Sequence, residues 1–75
     1  MNYLEKIPEI IEKIKDSGDQ LSAQKVSDAF YCSSTEGVTH TLLAIVHDDE
    51  DMYALIGEDV MELRAFCLSI GLKVR

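Results

Sequence analysis

The chain has 75 residues, of which 14 are Asp or Glu and seven are Lys or Arg, giving a formal net charge of −7. A surface of this sign repels a phosphate backbone, so nucleic acid is not expected as a partner. Apolar residues make up 47% of the chain and are spread along its length, which argues against disorder. A chain this short forms one domain at most, and we predict a single folded domain over residues 1–75.

The sequence predicts no transmembrane helix. Its longest apolar run, residues 42–46, is far shorter than the roughly 20 residues that span a bilayer. The first residues lack the basic region, the apolar region and the cleavage site of a secretory signal. We therefore expect a cytoplasmic protein without a membrane partner. In that compartment Cys32 and Cys67 stay reduced, and we predict that both thiols are buried.

A first helix is predicted from apolar residues that recur in steps of three and four. It starts between residues 4 and 7 and ends at Gly18, because glycine accepts the left-handed conformation that stops a helix. Pro8 is placed in the first turn, where the backbone N–H groups have no helical partner. The core face of this helix comprises Leu4, Ile7, Ile11 and Ile14.

A second helix is predicted over about residues 20–32. Its cap is either Asp19 or the pair Ser17 and Gln20, which have the spacing of a capping box. Its apolar side comprises Ala23, Val26, Ala29 and Phe30.

Residues 38–57 are predicted to form a β-hairpin. Two segments rich in β-branched and apolar residues flank four consecutive acids, which would form the turn. A helix over residues 38–46 is the alternative, since Val38, Leu42 and Val46 also match helical spacing. A short apolar run does not decide between the two.

The C-terminal part is predicted to form a helix over about residues 60–70. Asp59 and Glu62 have capping-box spacing at its start, and Gly71 stands at its end. A short edge strand could follow at residues 72–75. The sequence therefore predicts a small single α+β domain with the element order ααββα.

The residues that could carry chemistry do not form a recognisable catalytic or metal-binding pattern. Cys32, His40, His47 and Cys67 are separated by 8, 7 and 20 positions, whereas zinc ligands usually occur in close pairs. On a strand, moreover, the two histidines would point to opposite faces. We predict no catalytic residue, no metal, no cofactor and no enzymatic activity.

Residues 26–46 resemble a helix-turn-helix in rough outline, with a small residue after Val26, a polar turn and Val38 opening the next element. A recognition helix at this place would carry no Lys or Arg and would end in four acids. This resemblance implies a winged-helix-like transcription-regulatory module that acts through protein contacts or as a dimer. We keep it as the alternative function.

The leading prediction is a small cytosolic protein-interaction module, such as an adaptor, an inhibitor or an immunity-type factor. Its binding residues would be Asp48, Asp49, Glu50 and Asp51, which offer excess negative charge to a protein partner with a basic surface. Lys73 in the basic tail is expected to return to this acidic run. A homodimer is also predicted, because both faces of the hairpin are apolar and its edges are open.

Overall fold

A computed structural model describes residues 2–72, and over this range the chain forms four α-helices and no strand. The connections between the helices comprise residues 17–19, residues 33–34 and the single residue 49. The helices are α1 (Tyr3–Asp16), α2 (Gln20–Cys32), α3 (Thr35–Asp48) and α4 (Glu50–Ser69).

Each helix packs against the next one in the chain, and α4 returns to pack against α1. Short connections of this kind make consecutive helices run in opposite directions. A contact between Thr39 near the start of α3 and Cys67 near the end of α4 agrees with this, since their side chains lie 3.4 Å apart. The first and third connections therefore lie at one end of the bundle, and the second connection lies at the other.

The core is built from one apolar stripe on each helix. In α4 the buried residues recur in steps of four, four, three and four, which keeps them on one face. Burying one Ile, Leu or Val side chain stabilises the folded state by about 1.5–3 kcal/mol. The apolar stripes therefore hold the four helices together. The buried core residues are Ile7, Ile10, Ile11, Ile14, Ala23, Val26, Val38, Leu42, Val46, Met52, Ile56, Val60, Leu63 and Cys67.

The prediction of the first two helices is confirmed, with differences at the start of α1. Asn2 caps α1 by accepting the backbone N–H of Leu4, so the helix begins at Tyr3. Pro8 is consequently the sixth helical residue and not part of the first turn. Leu4 is 69% exposed and does not join the core. Asp19, the first of the two proposed caps, accepts the N–H of Ser22 and starts α2.

The predicted β-hairpin at residues 38–57 is wrong, and with it the α+β class and the ααββα order. Residues 38–48 belong to α3, so the helical alternative for 38–46 is the right one. Val38, Leu42 and Val46 are buried at intervals of four residues and face the other helices. Strand propensity amounts to about 1 kcal/mol or less for each residue, and the burial of this helical stripe outweighs it.

The C-terminal helix is nearly twice as long as predicted, because α4 begins at Glu50 instead of about residue 60. Asp59 and Glu62 are therefore not a cap but lie in the middle of α4. Gly71 ends the helix as predicted: its φ is 86°, and the N–H of Leu72 reaches the carbonyl of Cys67 at 2.9 Å. Leu72 is not in a strand, and the rest of the predicted edge strand, residues 73–75, lies outside the described residues.

Among residues 2–72, no helix has both the length and the apolar character that a bilayer crossing requires.

Candidate functional site

The four predicted binding acids lie where α3 meets α4, and all four are exposed. Asp48 is the last residue of α3, Asp49 is the connection, and Glu50 and Asp51 open α4. The acids form no hairpin turn; they span residue 49, the shortest of the three connections between the described helices.

Asp49 has a structural role that its charge alone does not reveal. Its carboxylate accepts the backbone N–H of Asp51 at 2.9 Å and of Met52 at 3.3 Å, which makes it the N-cap of α4. Glu50 and Asp51 follow in the first helical turn, where negative charge interacts favourably with the helix dipole. Three of the four acids therefore stabilise the start of α4.

Asp48 does not share this role. It lies at the C-terminal end of α3, where the helix dipole disfavours negative charge. Its carboxylate lies 3.1 Å from Nδ1 of His47, and both side chains are more than three quarters exposed. An exposed pair of this kind contributes little to stability. Of the four acids, Asp48 thus contributes least to the stability of the fold.

The fold adds a carboxylate that sequence reasoning missed. A shallow surface depression brings Asp19, from the connection between α1 and α2, together with Asp49 and Asp51. The backbone N–H of Ser22, followed by its hydroxyl, lowers the pKa of Asp19, so this carboxylate stays ionised at neutral pH. We call the surface formed by Asp19 and residues 48–51 the acidic end. No sequence pattern connects Asp19 to the run, because they meet only when the helices pack antiparallel.

Apolar and basic groups also border the acidic end. Met52 and Leu55 line the same depression as Asp19, and Leu55 is 38% exposed. A second shallow depression, between α2 and α3, places Lys25 with Asp48 and Asp49. The surface therefore combines five carboxylates with one lysine and a partly exposed leucine.

The expectation that Lys73 returns to the acidic run falls on a residue outside the described part of the chain. The last described residue, Leu72, lies beyond the far end of α4. At 1.5 Å per residue, the 20 residues of α4 separate it from Asp49 by about 30 Å.

Two lysines of α1 form ion pairs with a different group of acids, which lies on α4. Lys6 Nζ lies 2.8 Å from Asp59 Oδ1 and 2.9 Å from Glu62 Oε2, and Lys13 Nζ lies 2.6 Å from Asp59 Oδ2. The hydrogen bonds to Asp59 and Glu62 raise the pKa of Lys6 above its usual value. Burial raises the pKa of Asp59, but the hydrogen bonds from Lys13 and Lys6 outweigh it and leave that pKa below its usual value.

The structure separates the four residues that were considered as zinc ligands. Cys67 is buried beside Thr39, whereas Cys32 at the end of α2 is exposed, so the prediction of two buried thiols is wrong for Cys32. His40 and His47 lie on the same side of α3, seven residues or about 10.5 Å apart along the axis. Their predicted placement on opposite faces of a strand is therefore also wrong. No cluster of three or more His, Cys, Asp or Glu side chains in residues 2–72 is arranged to hold a metal ion.

The helix-turn-helix outline corresponds to α2 and α3, joined by Ser33 and Ser34. α3 carries neither Lys nor Arg, so it lacks the charge for phosphate contacts. The hairpin that could have supplied a wing is replaced by helices.

No protein-family model matches the chain, and comparison with curated proteins and with solved structures finds none that is similar to it.

Proposed function

We propose that the protein is a non-catalytic interaction module that binds a basic protein surface through its acidic end. The observation that carries the proposal is the gathering of Asp19 with Asp48, Asp49, Glu50 and Asp51 at one end of the bundle. Four of these acids are adjacent in the sequence. Asp19 joins them because the connection between α1 and α2 lies at the same end of the bundle as the connection between α3 and α4.

The acids of this surface differ in how much the fold needs them. Asp19 and Asp49 cap helices, so their carboxylates are partly occupied by backbone N–H groups. Asp48, Glu50 and Asp51 are exposed, and their charges are available to a partner. We assign the binding role chiefly to these three, while the two caps hold the surface in shape.

A basic partner suits this surface for two physical reasons. Excess negative charge raises the rate of encounter with a positive surface, and this effect weakens as salt screens the charges. Leu55, partly exposed beside the carboxylates, offers apolar area that contact with a partner would bury. The expected interface is polar and sensitive to salt.

The test compares three forms of the protein as bait in a lysate of the source organism. The first is the wild type, and the second carries Asp48→Asn, Glu50→Gln and Asp51→Asn. The third is a matched control that also loses three acids and so has the same net charge of −4 (−7 plus 3). Its substitutions, at exposed or half-exposed acids away from the acidic end, are Glu5→Gln, Glu9→Gln and Glu36→Gln.

Proteins retained by the wild type and by the control, but lost with the acidic-end variant, would support the proposal. The same proteins should elute as salt rises from about 0.15 M, because the Debye length shortens from about 8 Å toward 3 Å at 1 M. Equal retention by all three forms would contradict it. Equal loss from both substituted forms would show that net charge alone is responsible, which would also contradict a defined site.

A further inference from the structure

The inference concerns Asp49, the single residue that separates α3 from α4. Its backbone is extended, with φ of −135° and ψ of 111°, whereas the residues on both sides of it are helical. Its N–H still donates to the carbonyl of Ile45, as in α3, and its carbonyl still accepts the N–H of Tyr53, as in α4. The hydrogen-bond series of the two helices therefore already meet at this residue. A change of its φ and ψ to helical values would join α3 and α4 into one helix over residues 35–69.

The apolar residues of the two helices fit such a joined helix. Residues at intervals of three, four and seven positions share one face of a helix. The residues three and seven positions away from Asp49, on either side of it, are all apolar and buried: Leu42, Val46, Met52 and Ile56. The stripes of α3 and α4 would thus form one continuous stripe with Asp49 at its centre. A leucine at this position would complete the stripe.

Asp49 opposes the joined helix in two ways. Its carboxylate accepts the N–H groups of Asp51 and Met52, which holds the start of α4 at Glu50. In a joined helix these N–H groups would instead donate to carbonyls one turn earlier. The carboxylate would then lie on the apolar face, where the loss of hydration disfavours its charge. Both effects favour two separate helices.

We propose that Asp49 keeps the protein in its closed, monomeric form, and that with a large apolar residue in its place α3 and α4 join and two copies of the chain exchange α4. A joined helix carries α4 away from α1 and α3 of its own chain and exposes their apolar faces. The α4 of a second copy covers these faces through the same contacts that it makes within one chain. These contacts include Lys6 with Asp59 and Thr39 with Cys67. Exchange of α4 thus replaces the open hairpin edges as the basis for a homodimer.

Asp49→Leu tests the role of this residue, and Asp48→Leu is the matched control. The first substitution removes the cap and the charge and completes the apolar stripe, whereas the second makes the same change at an exposed neighbour outside the stripe. In analytical ultracentrifugation at tens of micromolar, Asp49→Leu should have twice the mass of the wild type and of the control. Far-UV circular dichroism should show that all three are helical. If Asp49→Leu does not fold, Asp49→Met takes its place, because methionine is also apolar and favours a helix.

A disulfide distinguishes the exchange of α4 from the association of two closed monomers. Thr39 Oγ1 lies 3.4 Å from Cys67 Sγ, so Thr39→Cys brings two thiols together, and Cys32→Ser removes the remaining thiol. Diamide, which takes up the two thiol hydrogens, should close this disulfide within one chain when Asp49 is present. With Asp49→Leu, residues 39 and 67 of one chain are about 42 Å apart along the joined helix. The disulfide should then link two chains and double the mass under denaturing, non-reducing conditions.

A folded Asp49→Leu variant that stays monomeric would overturn the proposal. So would a dimer of this variant whose disulfide closes within one chain, because α4 would not have been exchanged. Equal dimerisation of Asp48→Leu would also overturn it, since an added apolar side chain anywhere in the acidic run would then be sufficient. None of these outcomes depends on whether the acidic end binds a partner.

Discussion

Lys6 of α1 and Asp59 of α4 are 53 residues apart in the chain, and Lys6 Nζ lies 2.8 Å from Asp59 Oδ1 in the folded structure. Their side chains are only 17% and 16% exposed, which shields the pair from solvent. Lys13 binds the second oxygen of the same carboxylate at 2.6 Å. This cluster joins the first helix to the last and so helps to close the four-helix arrangement.

Asp59→Asn should destabilise the protein, because the amide cannot replace the charge between the two lysines. We expect a loss of about 1–3 kcal/mol, the range for hydrogen bonds to charged groups in a half-buried setting. Urea denaturation followed by circular dichroism gives the value. Glu9→Gln on the exposed side of α1 is the control and should leave the midpoint nearly unchanged. An unchanged midpoint for Asp59→Asn would show that the cluster contributes nothing.

The same cluster predicts how stability depends on pH. Because the pKa of Asp59 is lowered in the folded protein, its contribution is present above the ordinary carboxyl pKa of about 3.9 and is lost as pH falls through the lower, folded value. The pKa of Lys6 is raised, so its contribution is complete below about pH 10.4 and is lost as pH rises above that value. The difference in unfolding free energy between the wild type and Asp59→Asn should be constant near neutral pH and shrink below about pH 4. A difference at pH 2 that is as large as the difference at pH 7 would contradict this cause.

The two thiols should react at very different rates. Cys32 is exposed at the end of α2, whereas Cys67 is fully buried against Thr39. In native buffer a thiol reagent should modify one cysteine quickly, and mass spectrometry of peptides should identify it as Cys32. Cys67 should react only at the rate at which the protein opens, and quickly in denaturant. Rapid labelling of Cys67 in native buffer would contradict its burial between α4 and α3.

Two neighbouring acids at the acidic end should respond in opposite ways to the same substitution. Asp49→Ala removes the N-cap of α4 and should cost about 1 kcal/mol, within the 0.5–2 kcal/mol found for such caps. Asp48→Ala removes a negative charge from the C-terminal end of α3 and should leave the stability unchanged or slightly higher. Chemical denaturation of the two variants side by side measures the difference. Equal losses would mean that Asp49 is not acting as a cap.

The first two helices and the end of the last one followed from local signals that need no knowledge of the rest of the chain. Glycine at positions 18 and 71 ends a helix because it takes a positive φ, of 94° and 86° respectively. Asp19 is a good cap, and the spacing of Ile7, Ile11 and Ile14 is that of one helix face. These signals act within one or two turns, so the sequence shows them directly.

The hairpin was predicted because residues 38–57 carry two conflicting local signals. Their β-branched residues favour strands, while their apolar spacing also fits a helix. The Asp59–Glu62 spacing suggested a helix start inside what is one continuous helical stripe from Met52 to Cys67. The helical structure of this segment is decided by the apolar area that α3 and α4 bury against the other helices. A short stretch of sequence gives no information about that area.

By itself, the sequence determined that the chain is small and acidic, and that its second half contains four adjacent acids. It also predicted a first helix that ends at Gly18 and a second over about residues 20–32, close to the observed Tyr3–Asp16 and Gln20–Cys32. The tertiary structure alone decided that these acids cap and begin a helix, that Asp19 joins them, and that Asp59 binds two lysines of α1. The difference is physical: caps and helix stops are short-range interactions. By contrast, the position of a charge on the folded surface depends on which helices pack together, and that is decided by hydrophobic burial summed over the whole chain.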